Sequence, residues 1–174
     1  MSVGRTVPSI TFHTRIRDES IEGNNPYRWQ DVTTDHYFKD KRVLMFSLPG
    51  AFTPTCSTFQ LPDFDAMYHR FRTKGIDEIY CISVNDAFVM NQWFKSQEVK
   101  NVKPIADGSG HFTRRMDMLV DKDNLGFGHR SWRYAAVVDD RVVEHWWEEP
   151  GKEDNCKDDP YMVTSPQKIY RALS

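Results

Sequence analysis

Hydrophobic positions along this chain follow two different periods. Val43-Leu44-Met45-Phe46-Ser47-Leu48 and Ile79-Tyr80-Cys81-Ile82-Ser83-Val84 are almost continuous apolar runs, the pattern of strands covered on both faces. Ile10, Phe12 and Ile16 lie at even spacing with His13 and Arg15 between them, which predicts a half-buried strand. A polar, Gly- and Asn-rich loop over Arg17 to Pro26 then leads into a returning strand at Tyr27-Arg28-Trp29. Thr34 predicts the cap of a short helix through Lys39. From Ser57 to Lys74 the period changes: Phe64, Met67, Tyr68 and Phe71 recur at i, i+3, i+4 and i+7, one face of a helix. Pro62 is expected to kink that helix near the preceding turn, and Gly75 to end it.

The second half continues the alternation. Asp86 predicts the cap of a helix whose apolar side holds Val89, Trp93 and Phe94. Val102 to Ala106 reads as a short strand ending in the Asp107-Gly108-Ser109-Gly110 turn, with a brief helix over His111 to Met116. Tyr134 to Val138 and Val142 to Trp146 flank Asp139-Asp140-Arg141 as a β-hairpin. Glu148 to Asp159 is acidic and turn-rich, predicting an exposed loop, and Ser165 with Pro166 opens a last helix ending near Leu173. Strands alternating with helices predict an α/β fold, a sheet covered by helices on both faces. Neither an internal repeat nor an interdomain linker is visible, so residues 1–174 read as one domain, long enough to bury a core.

Composition narrows the function. A formal net charge of −2 argues against a nucleic-acid or acidic-membrane partner by bulk electrostatics. The stretch from Met1 to Phe12 lacks the apolar segment of a signal peptide, and no run reaches membrane-spanning length. Three cysteines, an odd number at irregular spacing, do not form a secreted disulfide framework, and no Cys/His pairing has zinc-site spacing. The expectation is a cytoplasmic protein without a metal or other cofactor.

One stretch carries chemistry. Pro49-Gly50-Ala51-Phe52-Thr53-Pro54-Thr55-Cys56 joins the apolar strand at Val43–Leu48 to the helical segment that follows. A punctuated loop so placed delivers Cys56 to the first turn of a helix, where free N–H groups and the positive end of the helix dipole favour an anion. A thiol there tends to ionise, and the thiolate is the nucleophilic form. An isolated cysteine is more often a packed one; the strand–loop–helix setting argues for the nucleophile. A Cys–His hydrolase needs an imidazole near Cys56, which spacing does not demonstrate. A CxxC exchanger is disfavoured because Thr53 stands three residues before Cys56.

The block Pro49-x-x-x-Thr53-x-x-Cys56 resembles the peroxiredoxin active-site signature, and Leu48 to Ser57 as a whole resembles the type-five (type II) class of that family. The likeness extends from Val3 to Leu173 through Ser83-Val84-Asn85-Asp86, Asp107-Gly108-x-Gly110 and Gly128-x-Arg130-Ser131-x-Arg133-Tyr134. It is strongest to the peroxidase half of bacterial proteins that carry a fused C-terminal glutaredoxin domain. This resemblance implies a thioredoxin-like fold, with a central mixed sheet and an N-terminal β-hairpin extension. It also implies a peroxidase that reduces hydrogen peroxide and alkyl hydroperoxides through a Cys56 sulfenic acid, the first rung of cysteine oxidation. Thr53 would hydrogen-bond the thiolate and orient the peroxide, Arg130 would donate to sulfur and peroxide oxygen, and Pro49 would shield the pocket. Arg133 matches a neighbouring motif position, with an assisting role left open.

Ionisation alone would do little for such a reaction. Lowering a thiol pKa from about 8.5 to about 6 raises its thiolate fraction at neutral pH from roughly 3% to roughly 90%, a ~30-fold gain. Intrinsic nucleophilicity falls ~10- to 18-fold over the same interval, for a Brønsted slope of ~0.4–0.5. Large acceleration must come from placing the peroxide and stabilising charge on its oxygens.

Recycling of the sulfenic acid involves the other cysteines or an external thiol. Cys81 lies in an apolar strand and reads as inert, although some plant relatives carry a cysteine at the matching position. Cys156 in the acidic loop is either a mobile resolving thiol or simply an exposed one, its thiolate disfavoured by Glu153, Asp154, Asp158 and Asp159. The resemblance implies glutathione and a separate glutaredoxin as reductant, with thioredoxin and a two-cysteine cycle as the alternative, and a homodimer packed through the active-site loop and the Ser83–Phe88 segment. A peroxide sensor relaying oxidation to a partner protein is the competing reading; a chaperone-like role has no sequence feature behind it.

Overall fold

The computed structural model describes residues 1–174. β1 (Thr11–Arg17) pairs antiparallel with β2 (Tyr27–Thr33), with Phe12 opposite Val32 as the buried pair. β2 runs on to Thr33, past the expected Trp29, because the antiparallel register matches all seven residues of β1. α1 (Thr34–Phe38) has Thr33 at its N-cap. Thr34 is instead a tie: its hydroxyl accepts from the Ile10 N–H at 2.8 Å and donates to Pro8 O at 2.7 Å, anchoring the leading segment.

β3 (Arg42–Ser47) leads through the Cys56 loop into α2 (Leu61–Ala66) and α3 (Tyr68–Arg72). β4 (Glu78–Ser83), α4 (Ala87–Ser96), β5 (Lys103–Ala106) and α5 (His111–Arg115) follow the predicted alternation. Then come two strands that periodicity does not reveal, β6 (Leu119–Asp121) and β7 (His129–Ser131), each three residues long. β8 (Tyr134–Asp139), β9 (Val142–Glu148) and α6 (Pro166–Ala172) close the chain. The main sheet has the order β5-β4-β3-β8-β9, parallel through β5, β4 and β3 and antiparallel across β3, β8 and β9. It is the mixed sheet of a thioredoxin-like fold.

Continuous apolar strands arise because both faces are covered. On β3, Leu44 and Phe46 enter one core, Val43 and Met45 the other; β4 divides Ile79 and Cys81 from Tyr80 and Ile82 in the same way. The first core is filled by Leu61, Phe64, Phe71, Trp93 and Ile169 from the helices. The second is filled by Phe12 from the hairpin, Phe38 from α1 and Phe112 from α5.

The expected long helix after Cys56 is three pieces. Cys56–Gln60 is π-helical, its last bond running from the Leu61 N–H to Cys56 O, and a break at Met67 separates α2 from α3. Pro62 supplies the cause of the first irregularity. It has no N–H for the carbonyl four residues back, and its ring crowds that carbonyl, so the preceding turn widens.

The segment from Glu148 to Asp159 also departs from expectation. Glu149 and Cys156 within it are buried. The Glu149 carboxylate accepts from the N–H groups of Met162, Val163 and Thr164 and from the Thr164 hydroxyl, so one buried charge organises the chain before α6.

Candidate active site

The loop after β3 is built for close approach. Pro49, Gly50 and Ala51 are buried, and the Ala51 N–H donates to Asn85 Oδ1 at 3.0 Å, which also accepts from Ser83 Oγ. Phe52 takes φ +65° and turns its ring outward, 55% exposed. Helical geometry starts at Pro54, so Cys56 does lie in a first turn, with its side chain fully buried. Thr53 Oγ1 donates to Gly50 O at 2.7 Å. With its proton committed there, the hydroxyl is left to act as an acceptor.

Arg133 is the side chain that meets the sulfur. Its Nη2 lies 3.5 Å from Cys56 Sγ, its Nε donates to Gln60 Oε1 at 2.9 Å, and its Nη1 donates to Pro160 O at 2.7 Å. Asp159 grips the fork, Oδ1 2.7 Å from Nη1 and Oδ2 3.2 Å from Nη2, and Tyr161 lies under the guanidinium at 5.5 Å. Only 1% of the Arg133 side chain is exposed. Burial works against its charge, but Cys56 and Asp159 more than offset that and leave its pKa above the ordinary arginine value.

Arg130, expected to donate to the sulfur, makes no hydrogen bond to it. Its Nε donates to Phe127 O at 3.2 Å and its Nη1 to Pro49 O at 3.4 Å, with Phe127 stacked 5.3 Å from the guanidinium. Arg130 thus lies over the outside of the Pro49–Gly50 bend: a Cβ at Gly50 would come within 2.5 Å of its Nη1. Half-burial lowers its pKa without any acid beside it. The physical reason is that residues 129–131 form β7, not a turn, and pair with β6 outside the main sheet. Arg133 comes immediately before Tyr134, which is in register with Ser47 of β3, so it stands beside the start of the Cys56 loop. His129, next to Arg130, pairs with Asp121 at the surface.

Gln60 escaped the reading of the sequence. It is fully buried four residues after Cys56, spends its carbonyl on Arg133, and leaves its amide nitrogen without a protein acceptor. The signal available was a polar residue one turn beyond the cysteine on an otherwise apolar helix face. The three cysteines are all free and buried. Cys81 shares the core of Cys56, and burial, with the Cys56 charge added, pushes its thiol well above the ordinary range. Cys156 lies in the opposite core, across the sheet, and is neither mobile nor exposed. No group of three metal-ligating side chains occurs, and no helix is long and apolar enough to cross a membrane.

Residues 3–162 match the redoxin family model. The chain is 67% identical over 173 residues to a peroxiredoxin of Rhizobium etli, spanning 99% of this chain and 97% of that protein. It is 44% identical over 171 residues to the hybrid peroxiredoxin hyPrx5 of Haemophilus influenzae, spanning 98% of this chain and 66% of the hybrid. Among solved structures, the antioxidant protein (1-Cys peroxiredoxin) of Plasmodium falciparum superposes with a TM-score of 0.90 at 36% identity, covering 98% of both chains.

Proposed function

The chain belongs to the peroxiredoxin family, the thiol-dependent peroxidases, and from that premise we propose that Cys56 reduces hydrogen peroxide and alkyl hydroperoxides with glutathione and glutaredoxin as its reductant. The observation that carries the assignment is the buried Arg133 guanidinium 3.5 Å from Cys56 Sγ. It is a permanent charge next to the sulfur and next to any oxygen the sulfur attacks.

The Cys56 thiolate attacks one peroxide oxygen, and the O–O bond breaks as the S–O bond forms. The departing oxygen takes a proton and leaves as water or an alcohol, and Cys56 becomes a sulfenic acid. Thr53 Oγ1, its own proton held by Gly50 O, accepts from the peroxide hydroxyl and aims that same oxygen at sulfur, so that the other oxygen departs. Arg133 offsets charge on the oxygens as the bond breaks. Pro49, buried in the loop and with no N–H to compete, walls off the pocket. Glutathione then attacks the Cys56 sulfur and displaces the hydroxyl as water. A second thiol resolves the mixed disulfide and returns Cys56, so one peroxide consumes two thiols.

Burial of Cys81 in a central strand, which would have to distort to bond Cys56, and of Cys156 across the sheet supports recycling by an external thiol. The Plasmodium relative is likewise named a 1-Cys peroxiredoxin. Three free thiols suit a reducing compartment, and we place the protein in the cytoplasm. We also assign a homodimer. Trp29 and Phe88 stand 55% and 51% exposed with rings 5.5 Å apart, bridged by Arg15, and Phe52 is exposed on the active-site loop. Apolar surface of this kind marks an interface.

The test is one equivalent of hydrogen peroxide on the reduced protein, followed by glutathione and intact-mass analysis. One thiol lost and a single glutathione adduct at Cys56 is the expected result. An intramolecular disulfide would overturn the external-thiol cycle, and an unoxidised Cys56 would overturn the peroxidase assignment.

A further inference from the structure

Two features around Arg133 have no place in that scheme. The first is that the guanidinium is already engaged. Nε serves Gln60, Nη1 serves Pro160 O and faces Asp159 Oδ1, and Nη2 serves Cys56 and Asp159 Oδ2. Four of the five N–H donors of the guanidinium are hydrogen-bonded, including both on Nη2, and Asp159 Oδ1 stands 2.7 Å from Nη1. A peroxide oxygen can bind Nη2 only by displacing a partner. The movable partner is Asp159, whose side chain is 46% exposed while Arg133 is 1% exposed.

The second feature is Lys122. It is only 3% exposed, yet its ammonium makes no hydrogen bond or ion pair, lying 5.8 Å from the Trp132 ring. The stem is buried while the ammonium reaches the surface, where no protein carboxylate faces it. Lys122 lines one narrow crevice together with Pro49, Trp132, Arg133, Asp159 and Pro160. Two cations therefore share a cleft with one carboxylate, and that carboxylate sits on Arg133.

We propose that Asp159 is a placeholder on Arg133 that transfers to Lys122 when peroxide binds. Asp159 holds the guanidinium plane in position while the site is empty and releases Nη2 to the incoming oxygen. Lys122 receives the carboxylate, so releasing it does not leave an unpaired charge in the cleft. The chain around Asp159 is built for a short excursion. Upstream, the Asn155 N–H donates to Asp121 O at 2.7 Å and Cys156 is buried. Downstream, Met162 to Thr164 are fixed on Glu149. Only Lys157 to Asp159 lie exposed between these anchors. Asp159 and Lys122 are positioning residues, acting through Arg133.

The inference rests on Arg133 and Cys56 being the reacting pair. Its test is a double-mutant cycle on the rate of Cys56 oxidation by hydrogen peroxide, followed by intrinsic fluorescence. Lys122→Gln removes the receiver, so Asp159 stays on Arg133 and oxidation slows about tenfold, the scale of one charge-assisted contact. Lys122→Arg restores most of the rate. Asp159→Asn removes the competitor and oxidises faster than the unaltered protein. In Asp159→Asn the receiver has nothing to receive, so adding Lys122→Gln changes nothing further. A slowdown by Lys122→Gln that persists undiminished in the Asp159→Asn background overturns the transfer, as does an Asp159→Asn protein that is tenfold slower. Asp159 is at the surface, so that variant reports even if a Lys122 variant folds poorly. If the unaltered protein leaves Cys56 unoxidised, it is the peroxidase assignment that fails, a separate outcome.

Discussion

Exchanging Arg133 for methionine should cost far more than the same exchange at Arg130, although both arginines fall in one short motif. In Arg133→Met the charge beside Cys56 Sγ disappears, and with it the only side-chain donor the structure places on that sulfur. Removing one preorganised donor to developing oxyanion charge typically lowers a rate ~10²- to 10³-fold, or ~2.7–4 kcal/mol. Gln60 Oε1 and Pro160 O also lose their partners in a buried setting, which adds ~1–3 kcal/mol of lost stability for each group left without water. Arg130→Met, by contrast, breaks two long bonds to backbone carbonyls, at 3.2 and 3.4 Å, on a half-buried side chain. Neutral acceptors of this kind are worth ~0.5–1.5 kcal/mol each, and only the Pro49 contact touches the reactive loop. The peroxide rate should fall less than about fivefold.

The assay is stopped-flow oxidation of the reduced protein by hydrogen peroxide, with the thiolate fraction read from its ultraviolet absorbance at each pH. Arg133→Met should remain slow after correction to the thiolate present, because its lost interactions are with oxygen as well as sulfur. Arg133→Lys should recover only part of the rate, since an ammonium cannot serve sulfur, Gln60 and oxygen at once as a planar fork does. The reasoning is refuted if Arg130→Met is the slower variant. It is refuted equally if the Arg133→Met loss vanishes once ionisation is accounted for.

Other consequences follow from the same geometry. Cys56→Ser should abolish turnover with an unchanged melting temperature, and residual peroxide consumption would disprove the nucleophile. Cys81→Ser and Cys156→Ser should each retain glutathione-supported turnover within about twofold, because Cys81 is held in a central strand and Cys156 lies in the opposite core; loss of one oxidisable thiol per peroxide should persist in both. Glu149→Ala leaves three backbone N–H groups and a hydroxyl without their acceptor, and urea unfolding should show ~3–5 kcal/mol of lost stability. Phe88→Glu places a charge in the exposed aromatic pair with Trp29 and should convert a dimer to monomer in sedimentation; an unaltered dimer would move the interface elsewhere.

How much of this a reader of the chain could see depends on the range of the forces involved. The central strands were legible because double-sided burial writes itself as an unbroken apolar run, and the two cores then divide β3 and β4 residue by residue. Cys56 was legible because its position follows from neighbours: a strand before it, prolines at 49 and 54, helical geometry after it. β6 and β7 were not, since three residues make too short a sample for any period. The π-helical turn at Cys56–Gln60 was foreseen as a kink from Pro62 but not in kind. The burial of Glu149 and Cys156 contradicted an acidic, turn-like composition, because composition says nothing of the donors that Met162 to Thr164 present to one carboxylate.

The arginine shows where local reading has to stop. Arg130 and Arg133 are three residues apart and equally charged, and nothing in their immediate sequence ranks them. What separates them is a pairing between segments more than eighty residues apart, Ser47 opposite Tyr134, which sets the residue before Tyr134 beside the loop that follows Ser47. Strand register has period two, so moving from Arg133 to Arg130 changes both the face and the sheet; Arg130 pairs into β6 and reaches only the outside of the Pro49 bend. The apolar run Tyr134 to Val138 was visible in the chain, as was the run it pairs with. Had the two been placed side by side, the charged residue at the head of the second would have stood next to the loop leaving the first. Assigning the cation to the thiol therefore required the sheet order, a tertiary fact, whereas assigning the thiol required only its neighbours.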